Sequence, residues 1–334
     1  MPKAEALTYE VGKQSVRLTS PDKVYFPGPD YTKRDVFEYY LAVQEPMLRA
    51  IRDRPTTLQR FPDGIEGEVF YQKRIPQRGA PSWLTTADIT FPSGRKATEL
   101  CPTGPEHIAW AAQMGAIVFH PWPVRSADTD KPDELRIDLD PQPGTTFKDA
   151  VEAATRAREL FEEAGLTAYP KTSGGRGVHL YVRIKPEWEF IDARHAAIAF
   201  GRELERRHPK LVTTAWWKEE RGERIFVDFN QMCRDRTIAA AYSLRANRRA
   251  TVSTPVTWDE LAGVEPDDFD LRTVPERVKT PDPWAGMDDR PFGLEPLLDW
   301  WERDPVEQPY PPDYPKMPGE PMRVQPSRAR NPEE

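Results

Sequence analysis

The chain has 334 residues, a formal net charge of −7 and a mean hydropathy of −0.71. This length is sufficient for one large or two modest domains with a sizeable core. The sequence has no apolar run that could cross a bilayer and no apolar signal-peptide core near its start, so we expect a cytoplasmic protein that makes no contact with a membrane. The two cysteines exclude a four-cysteine zinc knuckle and are compatible with a reducing compartment.

The negative charge is concentrated towards the C-terminus. Residues 1–250 carry 38 Lys and Arg against 35 Asp and Glu, whereas residues 251–334 carry 9 against 19. The larger part is therefore near neutral and contains basic clusters, such as Lys73 and Arg74 with Arg78. A groove that binds phosphate is compatible with this distribution, although the charge does not require one.

The N-terminal region begins with a turn-rich segment that leads into a helical pattern. Thr32 and Asp35 are typical of an N-cap pair, and the apolar spacing after them predicts a helix to about Ala50. Lys23 and Lys33 flank the N-terminus of this helix, where backbone N–H groups favour an anion. Two solvent-exposed lysines are the ordinary alternative.

Residues 55–75 predict a β-hairpin, because two alternating segments flank a Pro-Asp-Gly turn. Phe70 and Tyr71 are adjacent, so we expect them on opposite faces of the second strand. One of them would enter the core, while the other would be free to stack on a base, with Lys73 nearby for phosphate. A further strand leads into His120, for which a structural, hydrogen-bonded role is the ordinary alternative.

The most informative segment is 135–141, which reads Leu-Arg-Ile-Asp-Leu-Asp-Pro. Its apolar residues alternate with polar ones, as in a strand with one buried face, so Asp138 and Asp140 project from the same side. Two acids placed roughly 6 to 7 Å apart repel each other unless a cation lies between them, and hard divalent ions suit such oxygen ligands. A solvated strand face is the ordinary alternative, and D-x-D also occurs in sugar-nucleotide transferases.

The segment from residue 135 to residue 230 follows the order β-α-β-β-α-β. After the first strand we predict a helix at 146–164, strands at 167–170 and 178–184, a helix from an N-cap at Asp192 to Arg207, and strands at 211–215 and 224–230. This order is the split βαβ pattern, an RRM-like antiparallel sheet with two helices on one face. The predicted fold class is therefore α+β, which alone does not name a function.

Asp228 lies in the last of these strands, among mainly apolar neighbours, and needs a basic or metal partner. In a split βαβ sheet the first and last strands can lie close together, which would bring Asp228 to Asp138 and Asp140. Three carboxylates around two divalent ions roughly 3.5 to 4 Å apart can clamp an in-line phosphoryl displacement.

Several polar groups that suit an anion surround the predicted sheet. The glycine-rich turn between its two middle strands offers backbone N–H groups, Ser173 and Arg176, and His179 follows shortly after. The turn is not a Walker A motif, and a plain glycine turn is the alternative. Arg221 and Arg245 are further cations that a triphosphate would require, although each alone is commonly solvated surface.

Four co-linear segments, 138–141, 171–179, 226–230 and 241–246, closely resemble the polymerase domain of bacterial DNA ligase D, a member of the archaeo-eukaryotic primase superfamily. The resemblance implies a primase-polymerase fold with an additional N-terminal α/β subdomain. It implies a template-dependent nucleotidyltransferase that extends primers and fills short gaps or break ends carrying a 5′-phosphate. The expected cofactors are two Mn²⁺ or Mg²⁺ ions, with NTP preferred over dNTP as the substrate.

The resemblance also assigns roles to residues of this chain. The metal ligands and catalytic acids would be Asp138, Asp140 and Asp228. The nucleotide contacts would be His120, Ser173, Arg176 (where a lysine is common in the family), His179, Arg221, Gln231 and Arg245. The DNA contacts would be Lys23 and Lys33 on the downstream 5′-phosphate, Phe70 and Tyr71 on template bases, and Lys73 beside them.

We expect one domain over residues 1–300. It divides into an N-terminal DNA-binding part at 1–125, a catalytic RRM-like part at 126–254 and a C-terminal wrap at 255–300. A Pro-rich tail at 301–334 is expected to be extended or disordered.

The expected partners are primer-template DNA, gapped DNA and DNA ends, within the nucleoid. Because no ligase or nuclease sequence follows, we expect a stand-alone chain that works with Ku and a separate ATP-dependent DNA ligase. The alternative function is a non-catalytic module of the same fold that binds and bridges DNA ends.

Overall fold

The computed structural model describes residues 5–76 and 78–323. The elements of the N-terminal part are β1 (Leu7–Val11), β2 (Gln14–Leu18), β3 (Val24–Phe26), β4 (Tyr31–Thr32), α1 (Lys33–Ala42), α2 (Gln44–Ile51), β5 (Thr56–Arg60), β6 (Phe70–Gln72), β7 (Thr86–Thr90), β8 (Lys96–Leu100), α3 (Pro105–Gln113) and β9 (Ala116–Pro121). The predicted hairpin is confirmed, since β5 and β6 pair antiparallel. β5 also pairs with β8 and β9, which places His120 in the same sheet as the hairpin.

The predicted first helix is present, but it ends earlier than expected. Thr32 is its N-cap, and the Asp35 amide donates to Thr32 Oγ1 at 3.3 Å. The helix stops at Ala42, and α2 starts after Val43. The reason is Pro46, which has no N–H to donate to the Ala42 carbonyl, so the helical hydrogen bonds cannot continue.

The second sheet contains the predicted split βαβ unit. Its elements are β10 (Glu134–Pro141), α4 (Phe147–Glu163), β11 (Tyr169–Thr172), β12 (Val178–Arg183), α5 (Phe190–Arg207), β13 (Val212–Thr213), α6 (Lys218–Arg221) and β14 (Ile225–Asp228). The strand order is β11-β12-β10-β14-β13, with β10 at the centre. The α+β fold class is thus confirmed. The prediction of a fully antiparallel sheet is wrong for one strand pair. The chain crosses over through α6 after β13, and β14 then runs parallel to β13.

Helix α5 begins before the predicted N-cap. Its N-cap is Glu189, while Asp192 occupies the third helical position and accepts a hydrogen bond from the Glu189 amide at 3.0 Å. The expected N-cap at Asp192 is therefore wrong, because an acid at the third position serves the same backbone groups from inside the helix. Helices α4 and α5 pack together through Phe161 and Phe200, whose ring centroids lie 4.0 Å apart.

The C-terminal elements are β15 (Ser243–Leu244), β16 (Val252–Ser253), α7 (Trp258–Leu261), α8 (Val274–Arg277) and α9 (Glu295–Arg303). Residues 301–303 thus belong to a helix, and the extended tail starts at Asp304. The described part of this tail has no regular helix or strand, yet it packs on α5, because Arg194 donates to the carbonyls of Gln308 and Pro309 at 3.0 and 3.1 Å. The remaining tail residues, 324–334, lie outside the described residues.

One hydrophobic cluster contains core residues of both sheets and of α9. Tyr39 on α1 donates to the Tyr242 carbonyl at 2.8 Å. The Ser243 hydroxyl accepts from the Phe119 amide at 3.0 Å, which joins β15 to β9. The division into a single domain with three parts remains a prediction. Across residues 5–76 and 78–323, no helix has both the length and the apolar composition that crossing a membrane requires.

A buried ion-pair network fixes the start of β10 against the N-terminal part. The guanidinium of Arg54 is fully buried, contacts both carboxylate oxygens of Asp133 and lies 2.9 Å from Glu134 Oε1. Ion pairs therefore fix the start of the central strand β10, a few residues before Asp138 and Asp140.

Replacing Arg54 with alanine should lower the free energy of unfolding by about 3 to 5 kcal/mol, because two buried carboxylates would each lose one of their cationic partners. Urea unfolding followed by circular dichroism measures this loss. The control is Arg206→Ala, which removes an exposed ion pair with Glu203 and should cost less than about 1 kcal/mol. Equal effects of the two substitutions would contradict the structural role of Arg54.

Candidate active site

Asp138 and Asp228 face each other across the neighbouring strands β10 and β14, where they are register partners. The side-chain amide of Gln231 donates to Asp228 Oδ2 at 2.9 Å and lies 3.5 Å from Asp138 Oδ2. Asp140 lies two positions further along β10, and its Oδ2 accepts a hydrogen bond from Gln142 at 3.1 Å. The sheet thus brings the three predicted acids to one face.

The two facing carboxylates are electrostatically unfavourable as they stand. Burial, and then the charges of Asp228 and Asp140, raise the pKa of Asp138 well above its ordinary value. Burial also raises the pKa of Asp228, although hydrogen bonds from Asn230 and Gln231 oppose the shift. Such a pair is stabilised when a cation lies against both groups.

Among the described residues, no group of three or more His, Cys, Asp and Glu side chains is placed so that it could hold a metal ion. Gln231 contacts Asp228 and comes near Asp138, while Asp140 is hydrogen-bonded to Gln142. The chemistry of the donor set nevertheless fits divalent ions, because carboxylate oxygens are the ligands that Mg²⁺ and Mn²⁺ prefer. The residues present therefore fit the predicted ions.

A cluster of basic side chains lies on the other side of Asp138. His179, on β12, is the register partner of Asp138, and its Nε2 lies 3.4 Å from Asp138 Oδ1. Burial, followed by the charges of Arg245 and Lys171, lowers the pKa of His120 to about 3. Burial and the charges of Lys171 and Arg245 also lower the pKa of His179 well below its ordinary value, so both histidines lie close to the same two cations.

The glycine-rich turn between β11 and β12 packs against β15 and β16, the two strands on either side of Arg245 in the sequence. Gly174 has a φ of +68°, and a Cβ atom there would lie 2.6 Å from the Arg245 Cγ, so glycine is required. The Ser173 hydroxyl accepts from the amides of Gly175 and Gly177, both at 3.1 Å. Arg176 donates to the Pro141 carbonyl at 3.2 Å, which fixes the turn beside the end of β10.

A cavity of about 350 Å³ opens on the opposite side of the carboxylates. Its lining residues include Asp140, Arg221, Asp228, Gln231 and the tail residues 311–313. The Arg221 guanidinium lies 3.4 Å from the ring centroid of Phe226 and donates to the carbonyl of Trp216 at 3.0 Å. Sequence reasoning missed the contribution of the tail, because its Pro-rich composition carries no signal of where it packs.

Lys23 and Lys33 are close together, but they are not two ordinary surface lysines. Lys33 is only 6% exposed, and its Nζ donates to the Thr19 carbonyl at 3.0 Å and to Gln113 at 2.9 Å. Burial, followed by the charges of Lys23 and Arg60, lowers the pKa of Lys33 to about 8. Three cations thus lie near one point, where an anion would be stabilised.

The ammonium of Lys23 forms an ion pair with Asp63. An incoming anion would compete with this carboxylate for Lys23, whereas the Lys33 ammonium contacts neutral acceptors.

Phe70 and Tyr71 are both exposed, at 46% and 61%. The expectation that one of them enters the core is wrong, because β6 is a short strand at the edge of its sheet and neither of its faces is covered there. The Tyr71 ring lies 6.5 Å from that of His120, which connects the aromatic pair to the site. Lys73 lies beside them, with its Nζ 2.9 Å from Asp235 and 5.0 Å from the Phe91 ring.

Comparisons with known proteins identify the family to which the chain belongs. The model of the family described as "LigD, primase-polymerase domain" matches residues 32–284. The multifunctional non-homologous end joining protein LigD of Mycolicibacterium smegmatis is 40% identical over 257 residues, which are 75% of this chain and 33% of that protein. The corresponding protein of Pseudomonas aeruginosa is 32% identical over 287 residues, or 85% of this chain and 34% of that protein.

The chain therefore spans about a third of the length of these relatives. Among solved structures, the polymerase domain of Mycobacterium tuberculosis Ligase D in complex with DNA matches with a TM-score of 0.78 and 32% identity. That match covers 84% of this chain and all of the solved chain. The resemblance and the primase-polymerase fold that the motifs predicted are confirmed, and the chain belongs to the LigD primase-polymerase domain family.

Proposed function

We propose that this chain is a template-dependent nucleotidyltransferase of the primase-polymerase type that acts in DNA repair by non-homologous end joining. The observation that carries the proposal is the register pairing of Asp138 with Asp228, with Asp140 next along the strand. Three acids on one face of a sheet, with basic side chains on one side and an open cavity on the other, suit the transfer of a nucleotidyl group.

The site residues have distinct roles in this proposal. Asp138, Asp140 and Asp228 hold two Mn²⁺ or Mg²⁺ ions, which when bound activate a primer 3′-hydroxyl and neutralise charge on the departing pyrophosphate. Donors on the basic side bind the triphosphate of the incoming NTP or dNTP and orient it for attack. These donors are His120, Ser173, Arg176, His179 and Arg245. On the cavity side, Arg221 and Gln231 contact the reacting nucleotide.

The DNA contacts belong to the N-terminal part. Lys23 and Lys33 bind the 5′-phosphate at the far side of a gap or break, since both lie in a cationic cluster. Phe70 and Tyr71 stack on template bases, as their exposure allows, with Lys73 beside them for the backbone. The solved relative is a polymerase domain in complex with DNA, which supports a DNA partner.

The preference for ribonucleotides, the filling of short gaps and the partners Ku and a separate ATP-dependent ligase are part of the proposal and rest on family membership. A non-catalytic module that bridges DNA ends would keep the same fold and the same lysines. It would not need three acids on one face of the sheet, two of which repel each other in the absence of a cation. A sugar-nucleotide transferase would share the D-x-D motif but would have no use for the exposed aromatic pair.

Without metal, Asp228→Asn should raise the free energy of unfolding by on the order of 1 kcal/mol. The substitution removes one of two repelling half-buried charges and provides an amide that can donate to Asp138. Thermal unfolding in the presence of a chelator measures this gain, and addition of Mn²⁺ should stabilise the parent chain more than the variant. The control is Glu152→Gln on the exposed face of α4. Destabilisation by Asp228→Asn, with an undiminished response to Mn²⁺, would contradict a shared cation site.

Asp138→Ala and Asp228→Ala should each reduce nucleotide incorporation by about a thousandfold, because several kcal/mol of metal-dependent stabilisation are lost at 1.36 kcal/mol per factor of ten. Primer extension on a gapped template with Mn²⁺ measures this loss, and Glu152→Ala should retain full activity. Full activity in either Asp variant would contradict the assignment. A parent chain that binds DNA ends but incorporates no nucleotide would favour the non-catalytic alternative.

The double variant Lys23→Ala/Lys33→Ala should lose the preference for 5′-phosphorylated gaps and should extend an open primer-template normally. The parent chain should also lose part of this preference as the pH rises through about 8, because Lys33 is charged below its pKa and neutral above it. A bound phosphate would raise the pKa of Lys33, so the midpoint of this pH dependence would lie at a higher pH. Binding of gapped DNA with and without the 5′-phosphate, measured by fluorescence anisotropy from pH 7 to 9, reports both effects.

The double variant should show no such pH dependence, since the phosphate itself stays dianionic over most of this range. A parent chain whose preference for the phosphate is constant across pH 7 to 9, or a double variant that keeps the preference, would contradict the assignment of Lys33.

A further inference from the structure

Lys171 is a fully buried lysine that has no acidic partner. It lies on β11 as the register partner of His179 on β12, and its side chain is 0% exposed. None of the ion pairs in the described part of the chain includes Lys171. A buried ammonium is costly unless its hydrogen bonds are satisfied, so the structure requires an account of this residue.

The hydrogen bonds around Lys171 define where the protons lie. Its Nζ is 2.8 Å from His179 Nδ1 and also contacts the hydroxyl oxygen of Ser253. That hydroxyl donates its own proton to the Thr172 carbonyl at 2.9 Å, so its oxygen must accept from Lys171. Burial, followed by the charge of Arg245, lowers the pKa of Lys171 well below its ordinary value, while the charges of Asp138 and Glu134 oppose this shift. An ammonium group can only donate, so beside the ammonium form of Lys171 the Nδ1 atom of His179 accepts and the single proton of the neutral ring lies on Nε2.

The orientation of the ring gives this proton a target. His179 Nε2 lies 3.4 Å from Asp138 Oδ1, so the N–H faces the carboxylates and the space that we assign to the triphosphate. A carboxylate in place of Lys171 would require the proton on Nδ1 and would leave Nε2 as an acceptor, which repels anions. A lysine partner has the opposite effect and makes a neutral imidazole a donor towards negative charge.

We propose that Lys171 is a positioning residue for nucleotide binding: it holds His179 in the Nε2–H tautomer and directs that N–H towards Asp138 and the incoming triphosphate. This inference rests on the proposed function in taking the ligand to be a nucleoside triphosphate. Ser253 anchors the Lys171 ammonium, and the strand pair β11–β12 sets the spacing between lysine and histidine.

The first test is spectroscopic and needs neither substrate nor metal. The full chain, labelled with ¹⁵N-histidine, should show the Nε2–H pattern for His179 in long-range proton–nitrogen correlation spectra, with His179→Phe identifying the signals. Lys171→Met should produce a mixture of tautomers at that residue, whereas Lys185→Met, at an exposed position just beyond β12, should not change it. An Nδ1–H pattern in the parent chain, or an unchanged spectrum in Lys171→Met, would overturn the proposal.

The second test separates positioning from general structural support. Lys171→Met should raise the KM for nucleotide about tenfold with a smaller change in kcat, which is the effect of one lost charge-assisted hydrogen bond. In the His179→Phe background the same substitution should have no further effect on KM. A further rise of similar size in that background would overturn the proposal, because Lys171 would then act independently of the histidine.

Two further arms keep the test decisive. If Lys171→Met does not fold, as judged by circular dichroism, Ser253→Ala removes only the anchor of the ammonium and should raise KM about threefold and alter the tautomer signal in the same direction. An unchanged signal in Ser253→Ala would then overturn the proposal. A parent chain that incorporates no nucleotide would refute the proposed function, while the tautomer spectra would still decide the role of Lys171.

Discussion

The arrangement of the site depends on two half-buried carboxylates that face each other across antiparallel strands. Asp138 and Asp228 are register partners, so the distance between them is set by backbone hydrogen bonds rather than by flexible side chains. Like charges at such positions destabilise a sheet, yet the fold retains both of them, Asp138 on the central strand β10 and Asp228 at the end of the neighbouring strand β14. The buried pairing of Arg54 with Asp133 and Glu134 fixes the other end of the same strand.

Hydrogen-bond donors and basic side chains surround the carboxylates and stabilise their negative charge. Gln231 contributes an amide donor that is hydrogen-bonded to Asp228 and lies near Asp138, which lowers the repulsion between the two acids. The basic side is built from the turn after β11 and from the β15–β16 pair, so cations reach the acids from elements distant in sequence. Tail residues 311–313 line the cavity on the opposite side, and Asp313 there forms an ion pair with Arg236.

Local patterns were sufficient to predict the parts that depend on sequence neighbours. The alternation in 135–141 identified the central strand, and apolar spacing identified α4, because both reflect one buried face. Patterns of this kind do not report which strand lies at a sheet edge, so the exposure of both Phe70 and Tyr71 was missed. They also cannot reveal the contact of Lys171 with Ser253, since these residues are 82 positions apart and meet only after the sheets have assembled.

The central claim is that Asp138, Asp140 and Asp228 share two divalent ions, and diffraction from crystals soaked with Mn²⁺ and a non-hydrolysable nucleotide tests it most directly. Data collected at the manganese absorption edge should show two anomalous peaks roughly 3.5 to 4 Å apart, with all three carboxylates as ligands. Crystals of Asp228→Asn should lose at least one peak. Absence of any peak at the carboxylates, with nucleotide bound beside His179 and Arg245, would contradict the account.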